Sequence, residues 1–407
     1  MDKAFDLLDP GVIQDPQPTF AKMRRDAPVH WNESVKGWFI TRYFDVRTVM
    51  RDPRFSVEKM SPFADRATGS KQQQIAFLTE VLGGWMVFKD PPAHTRLRQV
   101  LQSAFMPKSM EALRPQVELI AREILDGLGD RTEIDLLTDF AVPLPATVIG
   151  DLCGVPRDQV GNLRTWSDDI AKFVLQGRST PDKYDRSHSA LTECVAFYRD
   201  LVTDHRANPR DNLTSLMIEG GDIGKPLDDE EIVSTLVLIL FAGHETTTNL
   251  ITSGMFALLK NPDQLALLQR DRSLVSPAVE EFLRAEGPIA TIVRLALEDI
   301  EIGGQLIKKG ERVFAAIDSA AHDPAVFKDP MSVNITRQRN RHMAFGKGIH
   351  LCLGAPLARL EGQVAFEALL DRYMRFEFCG PLPMWRDELI ARGLRNLPLT
   401  VRHRKGR

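Results

Sequence analysis

FGKGIHLCLG, residues 345–354, sets three glycines, a histidine and one cysteine within ten positions. Glycine frees the backbone for positive φ angles and lets it approach another group closely. Cys352 lies just before APLARLEGQVAFEALL (residues 355–370), in which Pro356 suits the first turn of a helix. A thiol at a helix N-terminus faces backbone N–H groups, which favour its thiolate form. The stretch therefore predicts a tight turn that offers one thiolate as a ligand. An isolated cysteine is more often a small buried hydrophobe, and the rest of the chain has to decide between the two.

Cys153, Cys194 and Cys379 are widely separated, with no CxxC pair and no zinc-type Cys/His spacing. They read as free thiols of a reducing compartment. A chain of 407 residues with 43% hydrophobic and 26% charged residues has the composition of an ordinary globular protein. Its net charge of -3 gives no global attraction to nucleic acid or to an anionic membrane. MDKAFDLLDPGVIQDPQPTF (1–20) carries acids and prolines where a signal peptide has an apolar core. The most apolar run, 233–243, falls short of the ~20 residues of a membrane span. A cytoplasmic protein with no membrane anchor is expected. Without a linker or an internal repeat, residues 1–407 read as a single domain.

VHWNES (29–34) and GWFITRY (37–43) read as the strands of a hairpin turning at Val35-Lys36-Gly37. From 107 to 259 helical periodicity dominates, as in MEALRPQVELIAREILDGL (110–128). Strands return in EIGGQLIKKGERVFAAI (301–317), with turns at Gly303-Gly304 and Lys309-Gly310. The expected fold is mainly α with minor β sheets. RSTPDKYDRS (178–187) and the tail VRHRKGR (401–407) read as mobile surface.

LDDEEIVSTLVLILFAGHETTTNLITSGMFALLKNP (227–262) predicts a helix of about thirty residues that starts at an Asp228 cap with Glu231 three positions on and stops before Pro262. Its middle breaks the usual preferences: Gly243 costs ~1 kcal/mol against alanine, and Thr246, Thr247 and Thr248 are β-branched. Such local inconsistency concentrates at functional sites. The Thr246 hydroxyl is expected to bond the Ala242 carbonyl and bend or open the helix, with Gly243 leaving room for a small ligand. Glu245 and Thr246 supply the carboxylate and hydroxyl that a proton relay needs. From the helix alone, a distorted core helix with Glu245 paired to a structural base is the modestly favoured alternative.

The pattern Phe345-Gly346-x-Gly348-x-His350-x-Cys352-x-Gly354 resembles the haem-binding signature of the cytochrome P450 superfamily. Ala242-Gly243-His244-Glu245-Thr246-Thr247 is similar to the oxygen-activation segment of that family, and Glu281-Phe282-Leu283-Arg284 to its ExxR motif. DPPAHTRLRQVLQSAFMP (90–107) resembles the helix that covers one haem edge in bacterial members. The resemblance implies haem b with Cys352 as the axial thiolate and therefore the metal ligand, His94 and Arg98 on one propionate side, and Arg294 and His350 on the other. Phe345, Gly354, Ala242 and Gly243 complete the implied cofactor contacts. Glu281, Arg284 and Arg337 are implied to hold the loop before the cysteine rather than to do chemistry. Where many bacterial members read Ala-Asn-Arg-Asp, this chain has Ala320-Ala321-His322-Asp323.

The resemblance further implies a soluble bacterial-type monooxygenase that inserts one atom of O2 into a hydrophobic small molecule, with protons routed by Glu245 and Thr246. A thiolate ligand to haem iron favours O–O cleavage. With no flavin or iron–sulfur module in the chain, electrons are expected from a separate ferredoxin and its NAD(P)H-dependent reductase, docking near Arg339, Arg341, Lys347 and Arg359. Pocket segments by family position are 63–87, 173–176, 238–246 and 289–293. Their apolar residues, above all Trp85, Val87, Leu238, Ile239, Ile289 and Ile292, suit a hydrophobic substrate, and none of these segments marks a carboxylate anchor. A monomer is expected, without nucleic-acid or membrane partners. The rival readings are a peroxide-using haem-thiolate enzyme and a non-catalytic haem carrier or sensor.

Overall fold

The capping signal at Asp228 starts the element around which the molecule is built. Its carboxylate accepts from the Glu231 N–H at 2.8 Å, and the Glu231 side chain accepts from the Asp228 N–H at 3.2 Å. The helix that follows, Asp229–Lys260, runs for 32 residues and ends before Pro262. Ile232 to Leu240 and Thr247 to Met255 are buried all round, the mark of a helix at the centre of a core rather than on its surface. It packs against Pro143–Cys153, Val160–Leu175, Lys183–Ala207, Val275–Ala285 and Ala355–Arg372. The computed structural model describes residues 5–60, 72–175 and 182–404. Positions 63–71 and 176 of the expected pocket segments, and 178–181 and 405–407 of the expected mobile segments, lie outside the described residues.

Among the described residues, ten strands accompany the helices: β1 Val29–Asn32, β2 Gly37–Ile40, β3 Phe55–Ser56, β4 Glu133–Asp135, β5 Thr291–Ala296, β6 Ile300–Ile302, β7 Gln305–Ile307, β8 Arg312–Ala316, β9 Tyr373–Phe378 and β10 Pro398–His403. The largest sheet has the order β1-β2-β8-β5-β3. β1 and β2 form the expected hairpin, with Lys36 at φ 53 in its turn. β5 lies antiparallel to both β8 and β3, with Ser56 opposite Leu295. β6 and β7 make the hairpin expected at Gly303-Gly304.

Two local expectations are corrected. The helix expected over 110–128 is two helices, Pro107–Glu111 and Arg114–Gly127. Pro115 has no N–H to donate and its ring excludes the carbonyl four residues back, so it is tolerated only in the first turn of the second. The surface segments are also more ordered than expected, since 183–187 belong to the helix Lys183–Ala207 and 401–403 to β10, where Val401 is buried.

Glu281 and Arg284, one turn of Val275–Ala285, form a fully buried ion pair with Arg284 Nη2 2.7 Å from Glu281 Oε1. Arg337 Nε and Asn340 Nδ2 each donate to the same carboxylate at 3.0 Å. Arg284 also donates to the carbonyls of Ala321, Pro330 and Ser332. The pair therefore ties the helix to the chain ahead of Cys352 and leaves few unsatisfied atoms, which is what makes a buried ion pair tolerable. At the departing positions 321 and 322, the Ala321 carbonyl accepts from Arg284 and His322 Nδ1 lies 2.9 Å from the Asp318 carbonyl.

Candidate active site

The turn over 345–354 closes with the Cys352 N–H donating to the Phe345 carbonyl at 2.8 Å. Gly346 (φ +73) and Gly348 (φ +76) hold left-handed backbone that disfavours other residues, and a Cβ on Gly348 would stand 3.0 Å from the Met50 carbonyl. Gly354, at φ -78, needs no such freedom; it caps the helix Ala355–Arg372 and has open space where a Cβ would stand. Cys352 lies deep in the molecule yet counts as exposed, because it opens onto a cavity. Burial raises its pKa, against the Gly354 and Ala355 N–H groups and the charges of Arg98 and Arg359, which lower it. The lowered pKa expected from the helix terminus alone is thus outweighed by desolvation. All four cysteines are free thiols.

Ala242, Gly243, Glu245 and Thr246 of the long helix line the same cavity as Cys352, which holds about 370 Å³. The Thr246 hydroxyl donates to the Ala242 carbonyl at 2.7 Å, as expected, but the helix is uninterrupted across it. Gly243 lines the cavity, and a Cβ there would meet Ile149 Cδ1 at 2.5 Å, so the glycine also lets Pro143–Cys153 pack closely. Glu245 is buried and forms an ion pair with Arg386, while Asn249 Nδ2 donates to it at 3.3 Å. Asp168 and His244 place ligand-type atoms within 4.8 Å of the Glu245 carboxylate. Burial pushes the Asp168 carboxyl up to about 6 with help from the Glu245 charge, and burial pushes His244 down to about 4. Asp168, His244 and Glu245 thus form a cluster of ionisable groups behind the cavity wall.

His94, Arg98, Arg294, Phe345, His350 and Gly354 all line this cavity, as do Val87, Leu238, Ile239, Ile289 and Ile292. Trp85 does not. It is 0% exposed, stacked between Phe88 and Phe241, which take the lining positions in its place. Glu281, Arg284 and Arg337 are also away from the lining, consistent with a supporting position.

One wall of the cavity gathers four basic side chains, His94, Arg98, Arg294 and His350. The rings of His94 and His350 stand 4.2 Å apart, and among the described residues neither nitrogen of buried His94 has a hydrogen-bond partner. Burial pushes Arg294 down to about 10 against the pull of Asp90, and burial together with His94 and Arg294 pushes His350 down to about 4. Arg98 is lowered by burial, with the Cys352 charge opposing. Desolvated cations without anions are costly. A ligand with two carboxylates, an apolar body and an atom for the thiol to coordinate fits this donor set.

A thiol facing a threonine-bearing central helix, across an apolar cavity with a cationic wall, defines a haem-binding oxidative site. The family model described as "Cytochrome P450" matches residues 173–382. The chain is 38% identical to cytochrome P450 107B1 of Saccharopolyspora erythraea over 97% of each chain, and 35% identical to the polyketide biosynthesis cytochrome P450 PksS of Bacillus subtilis over 95% of this chain and 96% of that one. Its fold matches the crystal structure of P450BioI in complex with an acyl carrier protein ligated to hexadec-9Z-enoic acid, with a TM-score of 0.90, 31% identity, and 96% and 99% of the two chains covered. The chain belongs to the cytochrome P450 family. It is a haem b monooxygenase with a small hydrophobic substrate and O2.

Several lining residues escaped the sequence reading. Phe88, Leu101 and Phe105 are ordinary apolar positions with no distinguishing local pattern. Ile390 and Ala391 arrive from the C-terminal segment through the bridge of Ala391 with Ile289, a long-range pairing that no local signal announces. The Arg386 partner of Glu245 comes from that same segment. Glu361 was legible in principle as an acid on the buried face of the helix after Cys352. Burial pushes its carboxyl up to about 8, so it is protonated at neutral pH, next to Thr247.

Proposed function

We propose that Cys352 would supply the thiolate ligand of the haem iron, that His94 and Arg98 would hold one propionate and Arg294 and His350 the other, and that Glu245 and Thr246 would deliver protons to the site. The observation that carries this reading is a single cavity with the Cys352 sulfur on one wall and the Ala242–Thr246 segment on another. Bound there, haem supplies the oxygen chemistry. The chain's own part is to hold the cofactor, exclude water with Val87, Leu238, Ile239, Ile289 and Ile292, and move protons. The ion pair to Arg386 holds Glu245 beside Thr246, with Asp168 and His244 clustered behind that carboxylate. Glu281, Arg284 and Arg337 fix the loop before the cysteine.

Residues 1–407 act as one domain, a monomer in the cytoplasm that takes electrons from a ferredoxin and an NAD(P)H-dependent reductase. Arg339 and Arg341 are exposed close to Cys352 in sequence, as are the apolar Ile349 and Leu351, a mixture that suits an acidic carrier. Arg359 is less available for that task than expected, because Glu280 pairs with it at 2.6 Å. The relatives named for polyketide biosynthesis and for a complex with a fatty acyl carrier protein make long or cyclic apolar molecules, free or carrier-tethered, the first substrates to try. The test is an optical spin-state titration of the ferric holoenzyme with such compounds, followed by turnover under 18O2. The expected outcome is a high-spin shift with at least one apolar compound and one labelled oxygen in its product; product without label would contradict the reading.

A further inference from the structure

Lys59 lies four residues upstream of the first expected pocket segment and lines the cavity together with Val57, Phe88, His94 and Arg294. It reaches that wall because β3 pairs with β5, setting Phe55 opposite Ala296 and Ser56 opposite Leu295, so the chain leaving β3 runs beside Arg294. The Val57 N–H and the Ser56 hydroxyl both donate to the Asp90 carboxylate. That carboxylate is therefore engaged just before the chain reaches Lys59. The ammonium itself stands 4.9 Å from the centroid of the Phe88 ring. Among the described residues it has no ion pair, and a ring face satisfies none of its three N–H donors in the way an oxygen does.

We propose that Lys59 is a carboxylate anchor of the cavity, acting beside Arg294 as a point charge next to a planar fork. Burial, then repulsion from Arg294 and Arg312, pulls the Lys59 ammonium down to about 8, and no acid offsets them. An ammonium in that setting is stabilised by a bound anion. The neighbouring guanidinium favours a planar carboxylate in particular. The carboxylate comes either from a haem propionate or from an acidic substrate. The proposal rests on the haem reading above and extends it, because the expected pocket segments contain no anchor for an acidic group.

The experiment compares wild-type, Lys59→Met and Lys59→Arg holoenzymes in two assays: haem transfer to apomyoglobin, and spin-state titration with hexadecanoic acid and with its methyl ester. If the anion is a propionate, Lys59→Met loses haem about tenfold faster than wild type and Lys59→Arg restores retention. If the anion is the substrate's, haem transfer is unchanged, the wild type binds the acid about tenfold tighter than the ester, and Lys59→Met loses that preference. Lys59→Met behaving as wild type in both assays would overturn the proposal. The reduced CO spectrum of each protein separates the two levels: a thiolate-type band in a wild type whose Lys59 variants change nothing overturns the anchor alone, whereas its absence from wild type overturns the haem-thiolate reading beneath it.

Discussion

Thr246 and Glu245 are both tied down, the hydroxyl to the Ala242 carbonyl at 2.7 Å and the carboxylate to Arg386. A relay built this way works by exchanging partners, so removing the hydroxyl deprives the site of a proton path without emptying the cavity. Thr246→Ala is expected to release at least several-fold more hydrogen peroxide per NAD(P)H consumed, and unchanged coupling would count against the relay. Glu361 makes a separate prediction about pH. Its folded-state pKa, about 8, lies above the ordinary 4.5. Between those values the folded protein keeps a proton that the unfolded chain has lost, so this group makes stability fall as pH rises. Glu361→Gln should flatten that fall, seen as a smaller drop in Tm from pH 5 to pH 8; parallel profiles for the two proteins would contradict it. The threonine bond was legible because it is local, four residues back along one helix. The Arg386 partner of Glu245 was not, because it lies 141 positions away in an irregular segment.

At the scale of elements, the long helix shows which sequence rules survive packing. Its cap, its length and its stop before Pro262 follow from local chemistry. Gly243 shows where such reasoning stops, since a mid-helix glycine reads equally as room for a ligand or room for a neighbour, and here it both lines the cavity and faces Ile149. Trp85 fails for a similar reason, because burial behind Phe88 and Phe241 depends on how its own turn stacks on the distant long helix. The ExxR pair was legible as a contact, being one helical turn, yet its full burial came from the loop folded over it. Removing one member leaves the other charged in a dry site, which costs ~3–5 kcal/mol. Arg284→Met is therefore expected to lower the thermal midpoint of the holoenzyme by several degrees and to weaken haem retention. A Tm within a degree of wild type would show that Arg337 and Asn340 hold Glu281 unaided.

The whole molecule places a cationic wall, an apolar wall and a thiol around one cavity, drawing on residues from Val57 to Ala391. The haem side of that assembly was largely legible, because FGKGIHLCLG, AGHETT and the His94–Arg98 helix each carry their signal within a few residues. The substrate side was only partly so, because apolar lining positions look like any others until the chain is folded. Lys59 was missed since its meaning depends on the β3–β5 pairing. The central claim is that Cys352 supplies the thiolate, and the reduced CO difference spectrum tests it most directly. The wild type is expected to show the thiolate-type band, and Cys352→Ser to lose it while keeping its helical circular dichroism. A Cys352→Ser protein that retains the thiolate-type band would contradict the account.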